Sequence, residues 1–293
     1  MCRLELLLLA MICLGTDMQT PMNAQTRILV HGHRGARAQR PENTLPAFVY
    51  AIAQGVDVLE LDMAVTKDDV LVVSHDPMLN PAICTGPGSP VAIRTLTLSE
   101  LRKWDCGGKR NPEFSRQTLV PGTPIPTLDE VFALASRGKF EFNIETKIFA
   151  DHPELTPTAE KFARLVLDCV QRHSLESRAM LQSFDFRTLH AMKALAPGLR
   201  LSALYEKGPE SFVDVARRAG AGIVSPEKSL VTPGKVSAAH AAGLQVVPWT
   251  ANTPAEWDAL VAARVDAIIS DDPAALIAYL KRKKLALIIS AGI

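Results

Sequence analysis

VDVLELDMAVTKDDVLVVSHD, residues 56–76, decides the fold. Its first half is an apolar β-type run, and side chains two apart on a strand share a face. Glu60 and Asp62 therefore project together from one side of an otherwise hydrophobic strand. A turn through Lys67-Asp68-Asp69 reverses the chain into VLVVS (70–74), and this second run hairpins back to deliver His75 to the same end.

Runs of the same kind recur at 28–30, 140–147, 179–184, 199–205, 221–225, 244–250 and 266–270, most of them separated by helical patterns. Asn43 or Thr44 can cap a helix ending near Gly55. Thr127 with Glu130, and Thr253 with Glu256 behind Pro254, read as capping boxes. With 56–63 the strand signals number eight, which predicts an α/β chain folded as a (β/α)8 TIM barrel with an insertion after the second strand. A doubly wound sheet is the alternative. The barrel is favoured because polar or aromatic residues recur at the strand ends: His33, Glu60, Asp62, Glu145, Lys147, Gln182, Trp249 and Asp271. In a barrel these ends converge on one mouth, where chemistry takes place. The Pro/Gly-rich interval 77–126 reads as the insertion, a wall or lid over that mouth, inside a single domain spanning 25–293.

Of 293 residues, 47% are hydrophobic and 22% charged, a globular composition. A net charge of +1 gives no global field to attract nucleic acid or an anionic membrane, so any anion preference must be local. Residues 1–24, with Arg3 before the apolar run Leu6–Gly15, read as a signal peptide too short to span a bilayer. That places the protein in the periplasm or outside the cell; a mis-started N-terminus would leave it cytoplasmic. Cys169 falls on the apolar face of a helix and is expected in the core. Cys84 and Cys106 could pair in an oxidising compartment or stand as free thiols.

The mouth carries the chemistry. Glu60, Asp62 and Glu145 would repel one another in a low-dielectric cavity. A divalent cation relieves that repulsion, and an all-oxygen set suits Ca²⁺ or Mg²⁺ better than Zn²⁺. The alternative is ion pairing with Lys147 or an arginine and no metal. His33 and His75 can divide proton transfer around a bound phosphate. Arg34 offers a planar fork for phosphate oxygens. His31 shares a face with His33 and is expected to support it, and Asp76 is placed to orient an imidazole. Arg37 and Arg40 read as solvated loop residues.

His33-Arg34-Gly35, Pro41-Glu42-Asn43-Thr44, Glu60-Leu61-Asp62, Ser74-His75-Asp76 and Ile144-Glu145-Thr146-Lys147, in that order, resemble the glycerophosphodiester phosphodiesterase family. Gln182-Ser183-Phe184, Trp249-Thr250 and Ser270-Asp271-Asp272-Pro273 match its later strand ends, so the resemblance runs from about Arg27 to Leu280. It implies one divalent metal on Glu60, Asp62 and Glu145, with His33 and His75 as the acid/base pair. Arg34 and Lys147 would meet the phosphate, Trp249 would form an apolar wall, and Glu42 and Gln182 would support the site. The implied reaction is hydrolysis of small-molecule glycerophosphodiesters to an alcohol and sn-glycerol 3-phosphate. A phospholipase C/D-like enzyme on intact lipids and a non-catalytic phosphodiester-binding barrel are the rivals. Two features depart from the family pattern: His31, where a small residue is usual, and the tail KRKKLALIISAGI (281–293), read as a docking or poorly ordered end beyond the last helix.

Overall fold

The computed structural model describes residues 27–88 and 90–291, with side chains to residue 284; the signal-peptide reading of 1–24, with Cys2 and Cys13, falls outside them. Strands form at β1 (Leu29–Gly32), β2 (Val58–Val65), β3 (Leu71–Val73), β4 (Glu141–Thr146), β5 (Ala179–Ser183), β6 (Arg200–Tyr205), β7 (Ile223–Pro226), β8 (Gln245–Val246) and β9 (Ala267–Ser270). All but β3 run parallel, in the order β8-β7-β6-β5-β4-β2-β1-β9. Pro248 has no N–H to give, so the β8 ladder is short. The ring still closes onto β9: Asp266 N–H reaches Val246 O at 3.0 Å, Ile269 N–H reaches Pro248 O at 3.0 Å, and Ala251 N–H reaches Ile269 O at 3.1 Å. The eight-stranded parallel barrel read from the sequence is the architecture found. β3 lies outside it, antiparallel on β2 with Val73 opposite Met63, after a turn in which Asp69 takes φ +62°.

Helices α1 (Leu45–Gln54), α3 (Leu128–Phe132), α4 (Ala159–Arg172), α5 (Phe186–Leu195), α6 (Phe212–Ala219), α7 (Pro233–Ala241), α8 (Pro254–Ala263) and α9 (Pro273–Ala291) cover the barrel, while the short α2 (Leu98–Leu101) belongs to the segment between β3 and α3. Thr44 rather than Asn43 caps α1, and Gly55 ends it in the left-handed region at φ +84°. Both expected capping boxes form, on α3 and α8. α9 runs through the basic tail to Ala291, so 281–291 belong to the last helix rather than to a segment beyond it.

Period-two alternation sorts the strand residues between two cores. On β2, Leu59, Leu61 and Met63 face the helices, joined by Phe142 and Ile144 of β4. Val58, Met180, Ile223, Val247, Ala267 and Ile269 form a separate apolar cluster. Val58, two residues before Glu60, lies on the same inward face of β2, so this cluster plugs the barrel interior below the acids.

Between β3 and α3 the chain makes a long excursion with its own apolar cluster, including Leu79, Ile93, Leu101, Trp104 and Ile125. Cys84 and Cys106 are joined within it by a disulfide. The excursion is fastened to the loop after β1: Gln117 Nε2 donates to Arg37 O at 2.6 Å and Thr118 N–H to Gln39 O at 2.9 Å. That loop turns sharply at Gly35, φ +84°, where a Cβ would lie 2.8 Å from the backbone of Ala47. Only glycine allows α1 to approach so closely there.

Candidate active site

Strand register assembles the acids. Glu60 pairs with Asn143 and Asp62 with Glu145 across β2 and β4, and Glu145 pairs with Gln182 across β4 and β5. All three carboxylates are buried, with oxygens within 4.8 Å of one another. Lys147 Nζ lies 2.6 Å from Glu145 Oε1 and 3.2 Å from Asp62 Oδ1. Arg34 Nε stands 3.2 Å from Asp62 Oδ2. The charges do not balance, however. Among the described residues Glu60 accepts from the Arg34 backbone N–H at 2.9 Å and the Gln182 amide at 2.9 Å, and its nearest side-chain base is His33 Nε2 at 4.0 Å.

The titration directions record that imbalance. Burial, then repulsion from Asp62 and Glu145, pushes Glu60 well above the usual carboxylate range. Burial also raises Glu145, with Lys147 opposing and Asp62 adding to it. Asp62 goes the other way: against burial, Lys147 and Arg34 hold it well below its ordinary value. Lys147 is raised, its two carboxylate partners outweighing burial. Three buried carboxylates crowd against Lys147 and an Arg34 that Glu42 shares, a repulsion that favours a proton on Glu60 and that a divalent cation in its place would relieve. The donor set is all oxygen, so the residues present fit a hard divalent ion.

Both imidazoles reach this cluster, each oriented by an aspartate. His33 Nδ1 meets Asp271 Oδ1 at 2.5 Å, which leaves Nε2 facing Glu60. Burial lowers the His33 pKa despite Asp271, while against burial Asp271 is held low by His33 and Arg37. His75 Nδ1 meets Asp76 Oδ1 at 2.7 Å, and Asn80 fixes the other Asp76 oxygen at 2.9 Å. His75, Glu145, Lys147 and Phe184 line one cavity of about 320 Å³. The Trp249 ring packs edge-on against Phe184 with centroids 5.5 Å apart, and Lys147 Nζ sits 5.9 Å from the Phe184 centroid.

Support for the site comes from several directions. Glu42 Oε1 accepts from Arg34 Nη1 at 2.6 Å, and its Oε2 from Asn111 of the excursion at 2.9 Å. Arg34 Nε is buried and, although Asp62 Oδ2 is 3.2 Å away, is not aligned to donate a hydrogen bond to it, so the pair is held by charge alone. Asn43, at φ +55°, donates to Asp62 Oδ2 at 2.9 Å. Arg37 corrects the solvated-loop reading: it is largely buried, 3.2 Å from Glu42 Oε2 and 3.9 Å from Asp271. Arg40 is half-buried, its guanidinium stacked 4.6 Å over the Tyr50 ring. The sequence reading gave Asn43 only a capping role, noted Asp271 only as a strand end, and did not single out Phe184. Asn43 carried a signal, since asparagine tolerates the left-handed region. Asp271 carried none, because its partner is 238 residues away.

His31 lies in the barrel interior, at one end of a polar chain. Its Nδ1 is 3.5 Å from Asn143 Nδ2, which donates to Gln182 Oε1 at 2.9 Å, and Gln182 in turn donates to Glu60. Burial, with Arg200 adding, lowers its pKa from 6.5 to about 3. The unfolded chain therefore binds a proton that the folded protein refuses, and stability rises with pH across that window. Accordingly His31→Asn should lose less stability than the parent as pH falls from 6.5 toward 3, read from denaturant midpoints. Parallel curves for the two proteins would contradict this.

Comparison with known proteins agrees with this geometry. The model of the glycerophosphoryl diester phosphodiesterase family matches residues 33–275. A glycerophosphodiester phosphodiesterase of Caldanaerobacter subterraneus subsp. tengcongensis is 33% identical, covering 87% of this chain and 99% of its own. A crystal structure from Silicibacter pomeroyi, provisionally called a glycerophosphoryl diester phosphodiesterase, superposes with a TM-score of 0.83 at 30% identity, covering 88% of this chain and 94% of that one. An Oleispira antarctica phosphodiesterase in complex with the product sn-glycerol-3-phosphate superposes with a TM-score of 0.74 at 25% identity, covering 86% and 96%.

Proposed function

Because the chain belongs to the glycerophosphoryl diester phosphodiesterase family, we infer that it hydrolyses small glycerophosphodiesters to an alcohol and sn-glycerol 3-phosphate, using a divalent metal. The observation that carries this reading is the buried, charge-unbalanced carboxylate triad flanked by two imidazoles, each backed by an aspartate. Glu60, Asp62 and Glu145 would hold Ca²⁺ or Mg²⁺. Such an ion supplies positive charge that polarises the phosphoryl oxygens.

The remaining work belongs to the chain. Arg34, held by Asp62 and Glu42, and Lys147 bind the non-bridging oxygens and stabilise charge that develops on them. One imidazole of the His33/His75 pair takes the proton of the nucleophile, whether water or a substrate hydroxyl. The other returns a proton to the departing alkoxide. Trp249, with Phe184, forms the apolar wall for the glycerol or alcohol moiety. Glu42 positions Arg34, and Gln182 positions Glu60.

Asp271 fixes which His33 nitrogen carries the proton, as a buried carboxylate does behind any catalytic imidazole. In Asp271→Asn, kcat should fall on the order of 10- to 100-fold with KM little changed. An unchanged kcat would remove Asp271 from this role.

The excursion 77–126 walls the mouth of a single barrel domain, through Asn111 and Gln117. Export to the periplasm or medium is the reading that accords with the Cys84–Cys106 disulfide, since such bonds persist in oxidising compartments. Among the described residues no helix is long and apolar enough to cross a membrane. Phe184 is the one exposed large hydrophobic among them, little surface for engaging intact lipid.

The test is an assay on sn-glycero-3-phosphocholine. Choline and glycerol 3-phosphate should appear, EDTA should stop their release, and Ca²⁺ or Mg²⁺ should restore it. Tight binding without turnover in any divalent ion would favour a binding protein instead.

A further inference from the structure

Away from the mouth, a second set of ligating side chains converges between α3 and α4. Cys169 and His173 are four residues apart at the end of α4, so both project from one side of it. Asp129, in the first turn of α3, faces them. His173 Nε2 lies 2.9 Å and Cys169 Sγ 3.6 Å from the same oxygen, Asp129 Oδ1, and the three ligating atoms fall within 4.8 Å of one another.

We propose that Asp129, Cys169 and His173 form a zinc-binding site bracing α3 against α4, independent of the hard-ion site at the mouth. The donor types carry the metal class: a thiolate, an imidazole and one carboxylate select Zn²⁺ over Ca²⁺ or Mg²⁺. The spacing carries the geometry. Tetrahedral zinc, with usual bond lengths, separates sulfur from oxygen by roughly 3.6 Å and nitrogen from oxygen by roughly 3.4 Å. The observed 3.6 Å matches the first edge, and the observed 2.9 Å opens to the second with a small shift of an imidazole.

The surroundings are compatible. Cys169 is fully buried among the core's apolar side chains, and its thiol donates to this carboxylate. Asp129 and His173 are partly exposed, which gives the ion a way in and a water its fourth position. Burial and Asp129 push the thiol up to about 12, so the metal-free protein carries it protonated. On binding, Sγ–H gives its proton to solvent, the proton that His173 Nε2 shares with Asp129 is exchanged through solvent to Nδ1, and the freed sulfur and Nε2 lone pairs go to Zn²⁺; no electron changes hands. Arg172, which pairs with Asp129 at 2.9 and 3.0 Å and is more than half exposed, swings into solvent.

Cobalt provides the test, because thiolate-to-cobalt charge transfer reports sulfur ligation and an all-oxygen site cannot produce it. Full-length protein is saturated with Mg²⁺ to fill the mouth and then titrated with Co²⁺. A near-ultraviolet charge-transfer band and intense tetrahedral visible bands should saturate at one equivalent and vanish on adding Zn²⁺. Cys169→Ser should abolish the band, which separates Cys169 from Cys2 and Cys13. Because Cys169 is a core residue, His173→Ala, at a partly exposed position, supplies the second arm. There, Co²⁺ affinity should fall about tenfold or more with the circular dichroism spectrum unchanged. Absence of the band, or a band of undiminished affinity in either variant, overturns the proposal. Hydrolysis of glycerophosphocholine in Mg²⁺ is measured alongside, so a failure here leaves the reading of the mouth standing.

Discussion

His75→Ala lowers kcat on a glycerophosphodiester by about 10²–10⁴-fold, the usual contribution of a placed general acid or base. The side chain is about one-third exposed, and the described hydrogen bond that holds its ring is the one to Asp76. Removing it should leave fold and divalent-ion affinity intact. It also opens space on a cavity of about 320 Å³, so added imidazole should restore part of the rate. His33→Ala should give a loss of similar size, and the double variant should lose less than the product of the two. Wild-type kcat in His75→Ala would remove it from the proton work.

Glu145→Gln has an equally large effect on turnover and the opposite sign on the metal-free fold. The amide oxygen can still accept from Lys147, but the repulsion among three buried carboxylates is relieved. Activity should fall on the order of 10³-fold, several kcal/mol of lost charge stabilisation. Without added ions, the variant should melt no lower than the parent. Added Ca²⁺ or Mg²⁺ should raise the parent's Tm by mass action and leave the variant nearly unmoved. An equal shift in both proteins would mean that the ion binds elsewhere.

The strands and their polar ends were legible because period-two alternation is a local property. Glu60 and Asp62 share a face by spacing alone, and β2–β4 register then brings Asp62 beside Glu145. The hairpin through Asp69 was readable for the same reason. What stayed hidden were contacts made by closing the barrel. Asp271 meets His33 only because β9 pairs with β1, and Asn111 meets Glu42 only because the excursion folds back over the loop after β1. Arg37 read as solvated because a loop arginine usually is; Glu42, five residues on in the same loop, and Asp271, brought in by the β9–β1 pairing, draw it inward. The helical continuation of the tail was missed because basic residues followed by an apolar run resemble an end as readily as a last turn.

Whether one hard cation sits on the three acids beside the two imidazoles is decided by anomalous scattering from crystals grown with Mn²⁺ and sn-glycerol 3-phosphate. A single peak is expected at the barrel mouth, ligated by Glu60, Asp62 and Glu145, with phosphate oxygens on the ion and the His33 and His75 rings turned toward the phosphate. A mouth with no peak, its acids still paired only to Lys147 and Arg34 while phosphate binds elsewhere, would contradict it.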